Sequence, residues 1–224
     1  MKEINQALAK FNDSQLTQIV ELGLNFYPLK NNLYCHNVVK EALLDLANVN
    51  SSSLDKAYSY NANNAELFVL RILYGYSYFV IQEPFFNTKK SNQFTIEIHK
   101  LLDSLLQKAP RFHGKVLYRH EKHCSVDRVI ELFKKGLPLK TSHYLTTDYE
   151  DYEREDGFSF IIYSLPNGKT NAHELYRIMS HNENSPYPEH QINFERDSLF
   201  KILAIENSNN RIIVKLEELE LSKS

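Results

Sequence analysis

Five side chains have the types and spacing for chemistry. Arg119 closes the apolar run Lys115-Val-Leu-Tyr118, so it stands at the end of a predicted strand. A guanidinium placed there grips phosphate or carboxylate oxygens through two parallel N–H bonds, which an ammonium cannot reproduce. Thr146 and Thr147 offer hydroxyls that both donate and accept. Glu189 and Gln191 are spaced i, i+2, so on a strand their side chains point to one face. A carboxylate fixed on such a face stabilises positive charge developing at a nearby carbon, as in glycosidic bond cleavage.

Other chemistries have less material. His120, His123 and Cys124 are close in sequence, but no second pair of ligands stands at a zinc-site spacing. With 6 glycines in the chain, no Gly-rich phosphate loop is present. Gly-x-Ser-x-Gly and Cys–His hydrolase signatures are absent as well.

The elements that must hold these residues come in two textures. Before about Ala109 the spacing is helical. Ile4, Leu8 and Phe11 recur at that spacing, as do Leu16, Ile19, Val20 and Leu24, and then Val38, Ala42, Leu43 and Leu46. Ala65 to Ile81 is apolar nearly all round and predicts a buried helix; its aromatics, with Phe85 and Phe86, are expected in a core. Phe94, Ile98, Leu101, Leu102 and Leu105 form an amphipathic stripe closed by Pro110. From Lys115 onward strands dominate. They are expected at Lys115–Tyr118, Phe158–Tyr163, Ile192–Phe194, Leu199–Ile205 and Arg211–Leu216, with a turn at Asn207–Asn210. Helical pieces are expected near Val126–Lys135 and His173–Met179. The fold class is therefore α+β, with a helical region over 1–90 and a mainly β domain over 91–224.

The chain has 224 residues, 42% hydrophobic and 24% charged, with a formal net charge of −2. That balance supplies no electrostatic drive toward nucleic acid or anionic membrane. The 2 cysteines are too few for a disulfide framework. The first residues lack an apolar signal core, and no run reaches the length of a membrane helix. A cytoplasmic protein is expected, or one delivered into a host cell by a specialised secretion system without a cleaved signal.

Three segments in order resemble the mono-ADP-ribosyltransferases of the Arg–Ser–Glu class, which include bacterial toxins and secreted effectors. They are Lys115-Val-Leu-Tyr-Arg119, His143-Tyr-Leu-Thr-Thr-Asp148, and Pro188-Glu-His-Gln-Ile-Asn-Phe-Glu-Arg-Asp-Ser-Leu-Phe-Lys-Ile202. The family's counterparts are a strand ending Tyr-Arg-Gly, a strand with Leu-Ser-Thr-Ser, and Glu-x-Glu followed by strand, turn and Phe-Lys-Val/Ile. The resemblance covers roughly Gln93 to Leu219. It implies a β-sandwich with an NAD cleft, NAD as co-substrate, and a protein side chain as acceptor. It further implies that Tyr118, Arg119, Thr146, Thr147 and Gln191 bind NAD. Glu189, Gln191, Arg119 and Thr146 would be catalytic, and Tyr187, in the loop His181–Pro188, would face the acceptor. No metal is implied. The chain departs from the family at four positions: His120 follows Arg119 in place of Gly, Thr146 and Asp148 replace the two serines, and Gln191 replaces the second Glu. A glutamine can bond a ribose hydroxyl but carries no charge, and Glu189, Asp148 and Glu195 are the candidates for a carboxylate that serves in its place. Plain NAD hydrolysis, and a non-catalytic binding module of the same fold, are the alternatives.

Overall fold

The computed structural model describes residues 42–74, 93–121, 133, 136–151, 158–180, 189–208 and 211–220. The expected helices before residue 42 and at Val126–Lys135 lie outside them, as do Cys35, His123, Cys124, Phe85, Phe86 and the loop with Tyr187. The chain divides into two compact units, Met1–Lys108 and Ala109–Ser224.

In the first unit, residues 42–48 are helical, followed by α1 (Ser51–Ser59), α2 (Asn64–Tyr74) and α3 (Gln93–Lys108). Asn50 caps α1 by accepting from the Ser53 N–H at 2.8 Å. The expectation of a buried helix from Ala65 is met over α2, in which every residue but Arg71 is buried. Asn63 and Glu66 form a reciprocal capping box at its start. The Glu66 N–H donates to Asn63 Oδ1 at 3.0 Å and the Asn63 N–H to Glu66 Oε2 at 2.8 Å. Glu66 also fastens α2 to α3, accepting from Ser104 Oγ at 2.7 Å and Lys108 Nζ at 2.6 Å.

The second unit is a sandwich of two sheets. Its strands are β1 (Val116–Glu121), β2 (Pro138–Lys140), β3 (Leu145–Thr147), β4 (Phe158–Tyr163), β5 (Ala172–His173), β6 (Ile192–Phe194), β7 (Leu199–Ser208) and β8 (Arg211–Leu219), with the one-turn helix α4 (Leu175–Ile178) after β5. One sheet has the order β1-β4-β8-β7-β2 and the other β3-β6-β5. Among the described strands only β4 and β8 run parallel. Period-2 alternation supplies the core. Ile212, Val214 and Leu216 on β8 face inward with Leu117, Phe160, Ile162, Phe200 and Ile202, against Leu145, Ile192 and Phe194 of the smaller sheet. A bulge falls between Ile202 and Ala204, where Leu203 has no opposite number on β8.

The same alternation carries Glu218 inward, where it is 1% exposed. Three donors satisfy it: the Leu165 N–H at 2.9 Å, the Asn171 N–H at 2.7 Å and Thr170 Oγ1 at 2.7 Å. Burial nonetheless raises its pKa above the ordinary 4.5, and these bonds offset only part of that. A carboxyl whose folded pKa is raised holds its proton more tightly when folded. Its contribution to stability is therefore largest below the unfolded value and declines as pH rises through the folded one. Glu218→Gln is expected to flatten the fall in stability between pH 4.5 and neutrality, read from urea midpoints across pH. An unchanged slope would refute this assignment.

Candidate active site

The site is built where the two sheets touch. β1 is the edge of the larger sheet and β3 the edge of the smaller. They meet at one bridge: the Tyr118 N–H donates to the Asp148 carbonyl at 2.7 Å, and the Asp148 N–H to the Tyr118 carbonyl at 2.9 Å. Arg119 lies opposite Phe160 in the β1–β4 ladder and shares the inward face of Leu117. Its Nη1 crosses to the smaller sheet and donates to the Thr146 carbonyl at 2.7 Å. The guanidinium is thereby aimed by a backbone acceptor, half-buried at the seam.

β3 pairs antiparallel with β6, placing Thr146 opposite Asn193 and Thr147 opposite Ile192. Asn193 Nδ2 donates to Thr146 Oγ1 at 2.8 Å. The Thr147 hydroxyl turns away, buried, and donates to the Ile192 carbonyl at 2.7 Å. Directly before β6, Gln191 Nε2 donates to Glu189 Oε2 at 3.2 Å; Glu189 is exposed and Gln191 half-buried. The three segments singled out in the sequence are thus brought together. Tyr118, Arg119, Thr146, Thr147, Glu189 and Gln191 lie along one seam, whereas Tyr187 falls outside the described residues.

Two oxygens there are conspicuous. Among the described residues, Gln191 Oε1 and Asn193 Oδ1 are buried and without a hydrogen-bond partner, and Asn193 is 0% exposed. A buried amide oxygen without a donor costs about 1–3 kcal/mol. Sequence reasoning missed Asn193. Its only signal was an amide inside the apolar run Ile192-Asn-Phe194.

Asp148 is 9% exposed. Its Oδ1 accepts from the Glu150 N–H at 2.9 Å and its Oδ2 from the His190 N–H at 3.1 Å. Burial raises its pKa, and these two bonds pull it back in part. Beside it, Tyr149 stacks on His190 with centroids 4.5 Å apart, and Tyr176 meets the same imidazole edge-on at 5.3 Å. Burial raises the pKa of both tyrosines. Further along, His173 Nε2 lies 2.7 Å from Glu195 Oε1, so Glu195 is paired with a buried imidazole. On the outer face of β1, His120 Nδ1 meets Ser159 Oγ at 2.6 Å and Arg211 Nη2 at 3.0 Å, and Nε2 meets Asp151 Oδ1 at 3.1 Å. Arginine can only donate, so Nδ1 accepts and the Nε2–H points at the carboxylate. The residue that stands where the family has glycine is therefore an anchor for β1. Among the described residues no group of three or more His, Cys, Asp or Glu is placed to hold a metal ion, and no helix is long and apolar enough to cross a membrane.

A scan against protein-family models finds no match, and a search of the curated proteins finds no matching relative. Solved structures do match. The Vis toxin, an ADP-ribosyltransferase from Vibrio splendidus, aligns over 84% of this chain and 87% of its own with a TM-score of 0.56, at 14% identity. This chain has the ADP-ribosyltransferase fold. Two further structures share that fold with it. The type III effector XopAI from Xanthomonas axonopodis pv. citri aligns over 93% of this chain and 84% of its own, at TM-score 0.58 and 11% identity. Exoenzyme S from Pseudomonas aeruginosa, in a complex with human 14-3-3 protein beta and bound to Carba-NAD, aligns over 78% and 86%, at TM-score 0.55 and 13% identity. Identities this low tie the ADP-ribosyltransferase fold to this chain through its backbone course and leave the chemistry to its own side chains.

Proposed function

We propose that this protein is an NAD-dependent mono-ADP-ribosyltransferase of the toxin or effector kind, acting on a protein side chain, with catalysis in the second unit. The observation that carries the reading is the seam, where the Arg119 guanidinium bonds the carbonyl of Thr146, whose hydroxyl bonds Asn193 on the strand that follows Gln191. The residues present fit NAD. Arg119 suits the pyrophosphate, and the two unpartnered oxygens of Gln191 and Asn193 suit ribose hydroxyls, which donate.

Bound NAD supplies a glycosidic bond whose electron pair leaves on the nicotinamide nitrogen while positive charge develops at the ribose carbon. The chain's part is to hold and polarise. Arg119 orients the phosphates. Thr146 and Asn193 fix the strand pair behind the ribose. Glu189, exposed at the rim, takes the proton lost by the acceptor as its lone pair bonds the ribose carbon. Water in the acceptor's place gives free ADP-ribose.

Glu189→Ala is therefore expected to separate two readouts. Transfer of labelled ADP-ribose to lysate protein falls by about 100-fold, in line with loss of one general base, while nicotinamide release without acceptor changes far less. Equal losses in both would remove Glu189 from acceptor activation. A protein that neither binds NAD by calorimetry nor releases nicotinamide would be a binding module built on the same fold.

A further inference from the structure

Gln191 leaves an electrostatic gap in the proposed function. Positive charge develops in the reaction, yet the glutamine that follows Glu189 by two residues is neutral. Asp148 stands where that gap can be filled. The β3–β6 ladder pairs Thr146 with Asn193 and Thr147 with Ile192. One step further along the same antiparallel register brings Asp148 to the level of Gln191. By strand alternation both then share the face of Thr146 and Asn193.

Asp148 also touches each of the three segments that make the site. Its backbone exchanges both hydrogen bonds with Tyr118, next to Arg119. It directly continues the strand of Thr146 and Thr147. Its carboxylate accepts from the N–H of His190, between Glu189 and Gln191, and from the N–H of Glu150. Each carboxylate oxygen retains acceptor capacity beyond its one bond. The carboxylate is buried, so its field is weakly screened. The charged or titratable groups around it are His190 and Glu150, with Tyr149 stacked on the imidazole of His190.

We propose that Asp148 supplies the fixed negative charge of this active site in place of the neutral Gln191. This rests on the NAD-cleaving function proposed above. The carboxylate stabilises the charge arising at the ribose carbon as the bond to nicotinamide breaks. It forms no bond itself.

The test is a charge relocation, read as nicotinamide release from NAD by the full chain, with NAD affinity from calorimetry. Asp148→Asn is expected to slow release about 100-fold, the usual effect of losing one preorganised electrostatic group, with affinity little changed. The double variant Asp148→Asn with Gln191→Glu moves the carboxylate one place across the ladder and is expected to recover most of the lost rate. A fold weakened by the lost His190 bond would leave the double variant as slow as the single, so recovery separates charge from scaffolding. Gln191→Glu alone is expected to give no comparable gain, because the site already has its charge. An unimpaired Asp148→Asn, a double variant without recovery, or a large gain from Gln191→Glu alone would each overturn the proposal. Absence of nicotinamide release by the wild type would instead overturn the function beneath it.

Discussion

Arg119→Ala is expected to weaken NAD binding by about 100-fold, or roughly 3 kcal/mol, the scale for deleting one partner of a hydrogen-bonded charge pair. The side chain is doubly constrained. It lies on the inward face of β1 opposite Phe160, and its Nη1 is committed to the Thr146 carbonyl. Those constraints aim the guanidinium before a ligand arrives, so little side-chain entropy is lost on binding. Arg119→Lys is expected to recover little, because an ammonium keeps the charge but not the planar fork. The melting behaviour should change modestly, since the residue is half-buried and its β1 neighbours, Leu117 and His120, keep their contacts. Calorimetric titration with NAD distinguishes the cases. Arg119→Lys binding as tightly as the wild type would show that charge alone suffices and that the fork has no role.

The second large effect concerns stability. Glu66→Ala is expected to destabilise the helical unit by about 3 kcal/mol, at the lower end for breaking a buried ion pair. Glu66 is 1% exposed and its two oxygens take bonds from Asn63, Ser104 and Lys108. Its removal opens the capping box of α2 and orphans donors on α3 together. Lys108, with a side chain 27% exposed, recovers some hydration, which keeps the loss from being larger. Glu66→Gln should lose less, because a carboxamide oxygen still caps the helix. Urea unfolding followed by circular dichroism measures both. Two variants within about 0.5 kcal/mol of the wild type, as for an ordinary surface change, would mean that the pair is offset by its own desolvation.

Much of this was legible in the sequence, for identifiable reasons. Strands β4, β6 and β8 were readable because strict alternation or a short apolar run between turn residues leaves little choice. Their ends were less so. β7 runs on to Ser208 because Asn207 and Ser208 pair with Ile212 and Arg211, and ladder bonds outweigh the turn preference of asparagine. The helix expected from His173 begins at Leu175 because Ala172 and His173 are taken up as partners of Phe194 and Asn193. β2 escaped notice: Pro138–Lys140 is an edge strand held by backbone pairing to β7, with only Leu139, half-buried against the core, to mark it and a proline where an edge tolerates one. α1 escaped too, since Ser51-Ser-Ser53 resembles a turn until Asn50 is seen to cap it. In the site, residue types pointed to Arg119, Thr146, Glu189 and Gln191. Asp148 was a candidate by type, as were Glu189 and Glu195, whereas Asn193 was not singled out. The importance of Asn193 and Asp148 comes from register: an amide bonded across to Thr146, and a carboxylate bonded to His190, 42 residues further on.

The seam also separates two kinds of departure from the family. His120 on the outer face of β1 is held by Ser159, Asp151 and Arg211, which is structural. Gln191 and Asp148 lie at the seam itself, where the proposed exchange of charge would act.

The most direct measurement is mass spectrometry of lysate proteins incubated with NAD and the full chain, with Arg119→Ala in parallel. The expected result is a peptide carrying ADP-ribose that appears with the wild type and is lost with the variant. NAD returned intact, with no modified peptide in either sample, would contradict an ADP-ribosyltransferase function for this fold.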